Sequence, residues 1–314
     1  MARPDYTRSW IVADVGATSS RCALLCPPSF EVSAVRHYRN DGVGSLQEIL
    51  SNYLVETDSN PTNCALAVAA PVDGDDVRMI NRDWQFNRDE ISRRLGVEKT
   101  DVINDFHAIG YALPGFDDSQ RIEVGKATHY RRGNIAALGP GSGLGMSAWI
   151  DNDPDGAVMS GEGGHITVSG RCDNEDAIVA KLRERFGHCS AERVLSGPGI
   201  IALHNAMHNI DLPSSEEITA QADDPLCQAT MDQFFRFLGS AAADLALVTG
   251  AAGGVYIAGG IVPACIDHMM KSEFRARFED KNRYGDYMRA IPTWVITDPT
   301  PGLTGLSEFV RQGS

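Results

Sequence analysis

Two glycine-rich segments, Asp14-Val-Gly-Ala-Thr-Ser19 and Gly139-Pro-Gly-Ser-Gly-Leu-Gly145, interrupt apolar runs, and an Asn104-Asp105 step stands between them. These residue types suit phosphoryl chemistry. Glycine turns can aim backbone N–H groups at phosphate oxygens, and an isolated carboxylate can orient a hydroxyl and take its proton. Each glycine segment follows a strand-like run, Trp10–Ala13 and Ile135–Leu138. Two such turns on either side of one carboxylate point to a cleft that grips a polyphosphate from both walls. Taken singly, either turn also reads as an ordinary hairpin, for which Gly and Ser are the usual residues. The chain has no Walker A pattern, since Gly125-Lys126 is followed by Ala127. A nominal dinucleotide pattern, Gly197-x-Gly199-x-x-Ala202, follows Ala191–Ser196, which reads as helix where that motif needs a strand. Protein-kinase signatures are missing as well.

The elements that must hold these residues alternate along the chain. Strands are expected at Ile11–Ala13, Cys22–Leu25, Cys64–Ala70 (stopped by Pro71) and Asp101–Ile103. Ser45-x-x-Glu48 is a capping box opening a helix to about Glu56, and a helix over Asp89–Leu95 ends at Gly96. Asn104 and Asp105 sit where a helix begins, so a plain N-cap role for Asp105 stands beside a catalytic one. The second half repeats the strand, loop, strand order at Asn134–Leu138 and Met146–Ile150, a faint sign of internal duplication. Ser214-x-x-Glu217 is a second capping box. A long helix follows over Leu226–Val248, stopped by Gly253-Gly254 before a strand at Val255–Ala258. A helix over Pro263–Phe278, a strand at Thr293–Thr297, a break at Pro299–Gly302 and a last helix complete a mixed α/β order.

Composition bounds the function. The 314 residues suffice for roughly two domains, and 43% hydrophobic with 22% charged residues is ordinary for a globular chain. With a net charge of −14 and no basic cluster longer than Arg93-Arg94 or Arg131-Arg132, neither nucleic acid nor an anionic membrane is an expected partner. An acidic chain that handles a nucleotide must supply positive charge locally, through backbone amides and a bound Mg²⁺. Seven scattered cysteines without a C-x-x-C pair read as reduced thiols. The polar Met1–Ser9 has no signal-peptide core, and the apolar run Phe234–Val255 carries Arg236 and Asp244, so a cytoplasmic location is expected.

At this point the chain resembles a known family, the bacterial-type glucokinases, the non-zinc group within the hexokinase superfamily of actin-like sugar kinases. The resemblance runs over nearly the whole chain. It rests on Asp14-Val-Gly-Ala-Thr18, Ile103-Asn-Asp-Phe106, Gly139–Gly145, Gly161-Glu-Gly-Gly-His165, Ser190-Ala-Glu-Arg-Val-Leu-Ser-Gly-Pro-Gly199 and Ile257-Ala-Gly-Gly-Ile-Val-Pro263, in that order. Two departures stand out. The family's first loop usually reads Asp-x-Gly-Gly-Thr-Asn, and here Ala17 and Ser19 replace two of those residues, so Ala17 needs a backbone compatible with a Cβ. The related repressor/kinase family carries a cysteine-rich zinc motif after its Glu-x-x-His; only Cys172 follows His165 closely, too few thiolates for structural zinc.

The resemblance implies a phosphoryl transfer from ATP to a hexose, a reaction that needs a phosphate cradle, a metal and a base. Asp105 is the expected base. Glu162, His165 and Glu192 resemble the family's sugar ligands, with Asn104 beside the base and Asn81 a weaker candidate. Glu162 and His165 read alternatively as a polar turn or a metal pair, although the flanking glycines argue against a helix; Glu192 alone reads as a solvated helix residue. Asp14 is expected to hold Mg²⁺ through water. Val15, Gly16, Ala17 and Thr18 would face the β- and γ-phosphates from one side, and Gly141, Ser142 and Gly143 from the other. Gly259 and Gly260 resemble the adenosine contact, or form a plain strand-to-helix turn. Arg21 fits either a phosphate contact or a surface ion pair. The implied fold is α/β, the two-domain actin-like ATPase (ribonuclease H-like) fold with a deep interdomain cleft. Its small domain spans 1–106 plus 299–314 and its large domain 107–298. Glucose is the expected substrate, with a kinase for fructose, mannose or N-acetylglucosamine, or a non-catalytic sugar sensor, as rivals. The family also implies a homodimer.

Overall fold

Successive side chains of β1 (Trp10–Val15) serve two different cores. Ile11, Ala13 and Val15 join Leu46, Ile49, Leu50 and Tyr53 in one apolar cluster, while Trp10 and Val12 join Leu303, Leu306 and Val310 in another. The twofold alternation of a strand puts neighbours on opposite faces, and a strand buried on both faces belongs to the interior of an α/β sheet. The computed structural model describes residues 8–80, 82–152, 156–212, 214–221 and 223–313. The chain forms two units, one running to Gly115 and taking back the segment from Asp298, the other spanning Phe116–Thr297.

In the first unit β1 pairs antiparallel with β2 (Ser19–Leu25), which pairs with β3 (Ser33–Arg39). Helix α1 (Leu46–Thr57) leads to β4 (Asn63–Val68), parallel to β1. A small hairpin of β5 (Asp76–Arg78) and β6 (Gln85–Asn87) precedes α2 (Arg88–Leu95), β7 (Lys99–Asn104), which is parallel to β4, and α3 (Asp105–Ala112). The sheet order is β3-β2-β1-β4-β7. Ser45 Oγ accepts from Glu48 N–H at 3.3 Å. The Glu48 carboxylate reaches one residue beyond the usual reciprocal partner, to Gly44 N–H at 3.1 Å. Gly96 ends α2 at φ 71°, a left-handed conformation that favours glycine. The C-terminal helix Pro301–Gln312 packs on α3 so closely that a Cβ at Gly305 would stand 1.8 Å from Ala108 O. That packing carries α3 with the first unit and moves the division from the expected 106 to 115.

The second unit contains β8 (Arg121–Glu123), β9 (Ile135–Pro140), β10 (Leu144–Ile150) and β11 (Ala157–Gly161), then α4 (Asp173–Phe186), α5 (Gly197–His208), α6 (Ser215–Ala220) and α7 (Pro225–Thr249). Asp224 caps α7 by accepting from Leu226 and Cys227 N–H, and Gly250 at φ 62° ends it, ahead of the expected Gly253-Gly254. After β12 (Gly254–Ile257) the expected helix over Pro263–Phe278 is three short ones, α8 (Ile261–Ala264), α9 (Ile266–Lys271) and α10 (Phe274–Glu279). Ser272 makes the second break: its hydroxyl accepts from Phe274 N–H at 3.2 Å in competition with the helix. Helix α11 (Gly285–Arg289) and β13 (Thr293–Ile296) follow. The order β11-β10-β9-β12-β13, with β8 added at the edge, repeats that of the first sheet. In each, an antiparallel hairpin is followed by two parallel strands, so the duplication is one of topology.

Candidate active site

The three parallel strands of the first sheet end together, with Val15, Val68 and Asn104 in one row. This carboxyl edge is where open α/β sheets place ligands. It brings Asp14, the residue before Val15, to within two strand spacings of Asp105, roughly 10 Å at the backbone. Asn104 caps α3: its Oδ1 accepts from Phe106 N–H at 2.9 Å and His107 N–H at 3.3 Å, while Nδ2 donates to Ala70 O at 3.2 Å. The N-cap alternative for Asp105 is thus overturned. Asn104 does that work and leaves Asp105 in the first helical turn, with Oδ1 accepting from Phe106 N–H at 2.9 Å. Burial pushes the Asp105 carboxyl up to about 7, and the nearby Asp14 charge adds to this against the local N–H groups. Asp14 is also raised by burial, although Arg21 stands 3.5 Å away and opposes the shift. Arg21 therefore belongs to an ion pair directly across the hairpin. A Cβ on Gly302 would lie 2.7 Å from the Asp14 carboxyl carbon, so the C-terminal helix approaches Asp14 through a residue without a side chain.

Both glycine loops are hairpin turns. Gly16 N–H donates to Ser19 O at 3.0 Å, and Gly141 N–H donates to Gly143 O at 2.8 Å. The Gly141 amide is therefore internally engaged. Among the described residues, no backbone carbonyl takes the amides of Ala17, Thr18, Ser142 or Gly143. Ala17 is not in the left-handed region, so its Cβ is tolerated without strain.

In the second unit Glu162 precedes the single turn Gly163–His165, which lies against the start of β10. A Cβ on Gly164 would be 2.2 Å from Leu144 O, and one on Gly163 would be 2.6 Å from Met146 Sδ. Glu162 and His165 are both exposed on this turn. Among the described residues, no group of three or more His, Cys, Asp or Glu side chains could hold a metal. Glu192 lies on a one-turn helix, Ala191–Arg193, where a longer helix to Ser196 was expected. That turn is tied to the first by Ala191 N–H to Ile166 O at 2.9 Å. The Glu192 carboxylate accepts from Leu144 N–H at 3.1 Å and presses on Gly143, where a Cβ would be 2.6 Å away. Gly197 N–H at the start of α5 donates to Gly141 O at 2.8 Å. Gly259 has φ 82°, and a Cβ there would meet Pro140 O at 2.2 Å, whereas Gly260 faces open space. So Glu162, His165, Glu192, Gly141–Gly143 and Gly259 gather around the ends of β9 and β12. Asn81 lies outside the described residues. No sequence pattern marks Asn40, Arg82 or Gly302; Asn40, in Asn40-Asp-Gly42, reads only as a turn.

The sequence profile of the Glucokinase family matches residues 11–313. The chain is 38% identical over 310 residues to the glucokinase of Photorhabdus laumondii subsp. laumondii, covering 96% of this chain and 97% of that one. It superposes on the crystal structure of a glucokinase from an Antarctic psychrotroph with a TM-score of 0.86 at 32% identity, over 98% of this chain and 99% of the other. A glucokinase of Balamuthia mandrillaris, solved in complex with glucose, shares the fold with a TM-score of 0.79 at 18% identity, over 98% of this chain and 94% of that one. The architecture is the two-domain actin-like fold of the sugar kinases. With the profile spanning nearly its whole length, the chain belongs to the glucokinase family.

Proposed function

We propose that the protein transfers the γ-phosphoryl group of ATP to the 6-hydroxyl of D-glucose, with Asp105 as the base. Membership of the family makes it an ATP-dependent hexose kinase, a transferase. The observation that supports the assignment of Asp105 is a largely desolvated carboxyl just past the end of β7, with its pKa raised to about 7. A base serves best when its pKa lies near the working pH. Asp105 would hydrogen-bond the hydroxyl, hold it in line and take its proton.

A hexose offers hydroxyls and no charge, so its ligands should be carboxylates, amides and imidazole. Glu162, His165 and Glu192 are assigned that part, with the remaining capacity of Asn104 and with Asn81. Glu192 also accepts from the Leu144 amide, so its orientation is fixed before sugar arrives. Gly16, Ala17 and Thr18 after Val15, and Ser142 and Gly143 beside Gly141, are assigned to the phosphates, and Gly259-Gly260 to adenosine.

Asp14 fits Mg²⁺. It is a mostly buried carboxylate whose pKa is raised by loss of solvent, with Arg21 3.5 Å away opposing the shift. Mg²⁺ commonly takes one or two carboxylates, with water and phosphate oxygens completing the shell. When bound, the ion would neutralise charge on the phosphates. We place the enzyme in the cytoplasm as a homodimer; among the described residues no helix is long and apolar enough to cross a membrane.

Initial rates of ADP release across glucose, fructose, mannose and N-acetylglucosamine test the substrate. The highest kcat/KM is expected with glucose. A higher value for another sugar would reassign the specificity, and no sugar-dependent release would refute the reading.

A further inference from the structure

The turn Gly16–Thr18 is gripped from behind by side chains that the reaction does not use. Asn40 and Ser20 are both fully buried. Ser20 Oγ donates to Asn40 Oδ1 at 2.8 Å, which fixes the amide so that Nδ2 points at the turn. From there Nδ2 donates to Gly16 O at 2.8 Å and to Ala17 O at 3.5 Å. The Asn40 backbone N–H donates to Thr18 O at 2.9 Å. Arg82 completes the grip: Nη1 donates to Ala17 O at 2.9 Å, and Nη2 donates to Asn40 O. The guanidinium lies 4.5 Å over the ring of Trp84, itself buried in the core, and Nη1 stands 3.7 Å from Asp41.

Every carbonyl of the turn is thus drawn to one side. In a trans peptide the N–H points opposite to the C=O of the same unit. Drawing in the carbonyls of Gly16 and Ala17 therefore turns the amides of Ala17 and Thr18 outward, and these are the amides with no backbone acceptor. Three features locate the effect. The donors come from outside the hairpin, they satisfy carbonyls that a free turn would leave to water, and the Arg82 guanidinium, besides its ion pair with Asp41, donates to two backbone carbonyls.

We propose that Asn40 and Arg82 are positioning residues that hold the Gly16–Thr18 turn with its amides presented to the β- and γ-phosphates of the nucleotide. The assignment rests on reading that turn as a phosphate cradle. It implies selectivity for the phosphate tail: loosening the grip weakens triphosphate binding and in-line transfer, and leaves adenosine and sugar recognition alone.

The test uses the full-length protein and three variants, Arg82→Gln, Arg82→Lys and Asn40→Ser. Calorimetry with Mg²⁺ and a non-hydrolysable ATP analogue, then with AMP, reads binding without turnover. Steady-state rates give the KM for ATP and for glucose. Loss of a charge-assisted hydrogen bond to a carbonyl predicts about a tenfold fall in affinity for the ATP analogue and about a tenfold fall in kcat for Arg82→Gln. AMP affinity and the glucose KM should stay within about twofold on the same reasoning, and Arg82→Lys, which keeps a donor, should recover part of the loss. Asn40→Ser should follow the same pattern. Should it fail to fold, Arg82→Gln decides alone, since Arg82 is partly exposed. Unchanged affinity for the ATP analogue in Arg82→Gln overturns the proposal. So does an equal loss for AMP and glucose accompanied by a lower melting temperature, the signature of a merely structural contact. Absence of glucose phosphorylation by the unmodified protein would instead refute the proposed function, while the calorimetric comparison would still judge the grip.

Discussion

In the proposed role, Asp105 would meet opposite demands for catalysis and for stability. Burial and the Asp14 charge raise its pKa to about 7 in the folded chain, so folding favours the protonated acid while the reaction needs the carboxylate. The sign of the pH dependence follows. The stability contributed by the neutral form is complete below the unfolded value of 3.8 and is lost as pH rises through about 7. Activity runs the other way. In the free enzyme kcat/KM should fall about tenfold per pH unit below that pKa and level off above it, and a pH–rate profile checks this. Asp105→Asn removes the ionisation. It should stabilise the apo protein at pH 8 by on the order of 2–4 kcal/mol, with a smaller gain at pH 5, measured by denaturant unfolding.

At the scale of elements, the site is built on close approaches that only glycine permits. Gly143→Ala would put a Cβ 2.6 Å from the Glu192 carboxylate and displace it from Leu144 N–H. Losing that bond costs about 1 kcal/mol, so the glucose KM should rise roughly five- to tenfold; steady-state rates check it. Much of this was legible in the sequence. The caps at Ser45 and Ser214 and the glycine at 96 were visible because local hydrogen bonding and left-handed backbone limit the residue choice, whereas the cap weighed at Asp105 falls on its neighbour Asn104. Strand β3 was missed because it is an edge strand exposed along nearly its whole length, which leaves no alternation to read. The helix expected over Pro263–Phe278 broke because Ser272 and its neighbours satisfy the backbone locally. Asn40 and Gly302 act through residues far away in sequence, so no local pattern marks them.

For the whole molecule, the repeated sheet order goes with separate cores, so each unit holds its own candidate residues on its own packing. The first unit depends on the returning C-terminal helix, since Leu303, Leu306 and Val310 close one face of its sheet. Leu306→Ala should destabilise that unit by about 2–5 kcal/mol. Limited proteolysis should then cut within the first unit before the second. Equal cleavage of both would contradict this assignment of cores.

The central claim is that the Asp105 carboxylate, at the start of α3, takes the proton of a glucose hydroxyl. Glucose-dependent ADP release by Asp105→Asn, with the glucose dissociation constant measured by calorimetry in the same preparation, tests it most directly. The account predicts a fall in kcat of at least about 10²-fold, the scale of a lost general base, with glucose affinity within about threefold of the unmodified protein. Turnover near normal in that variant would contradict it.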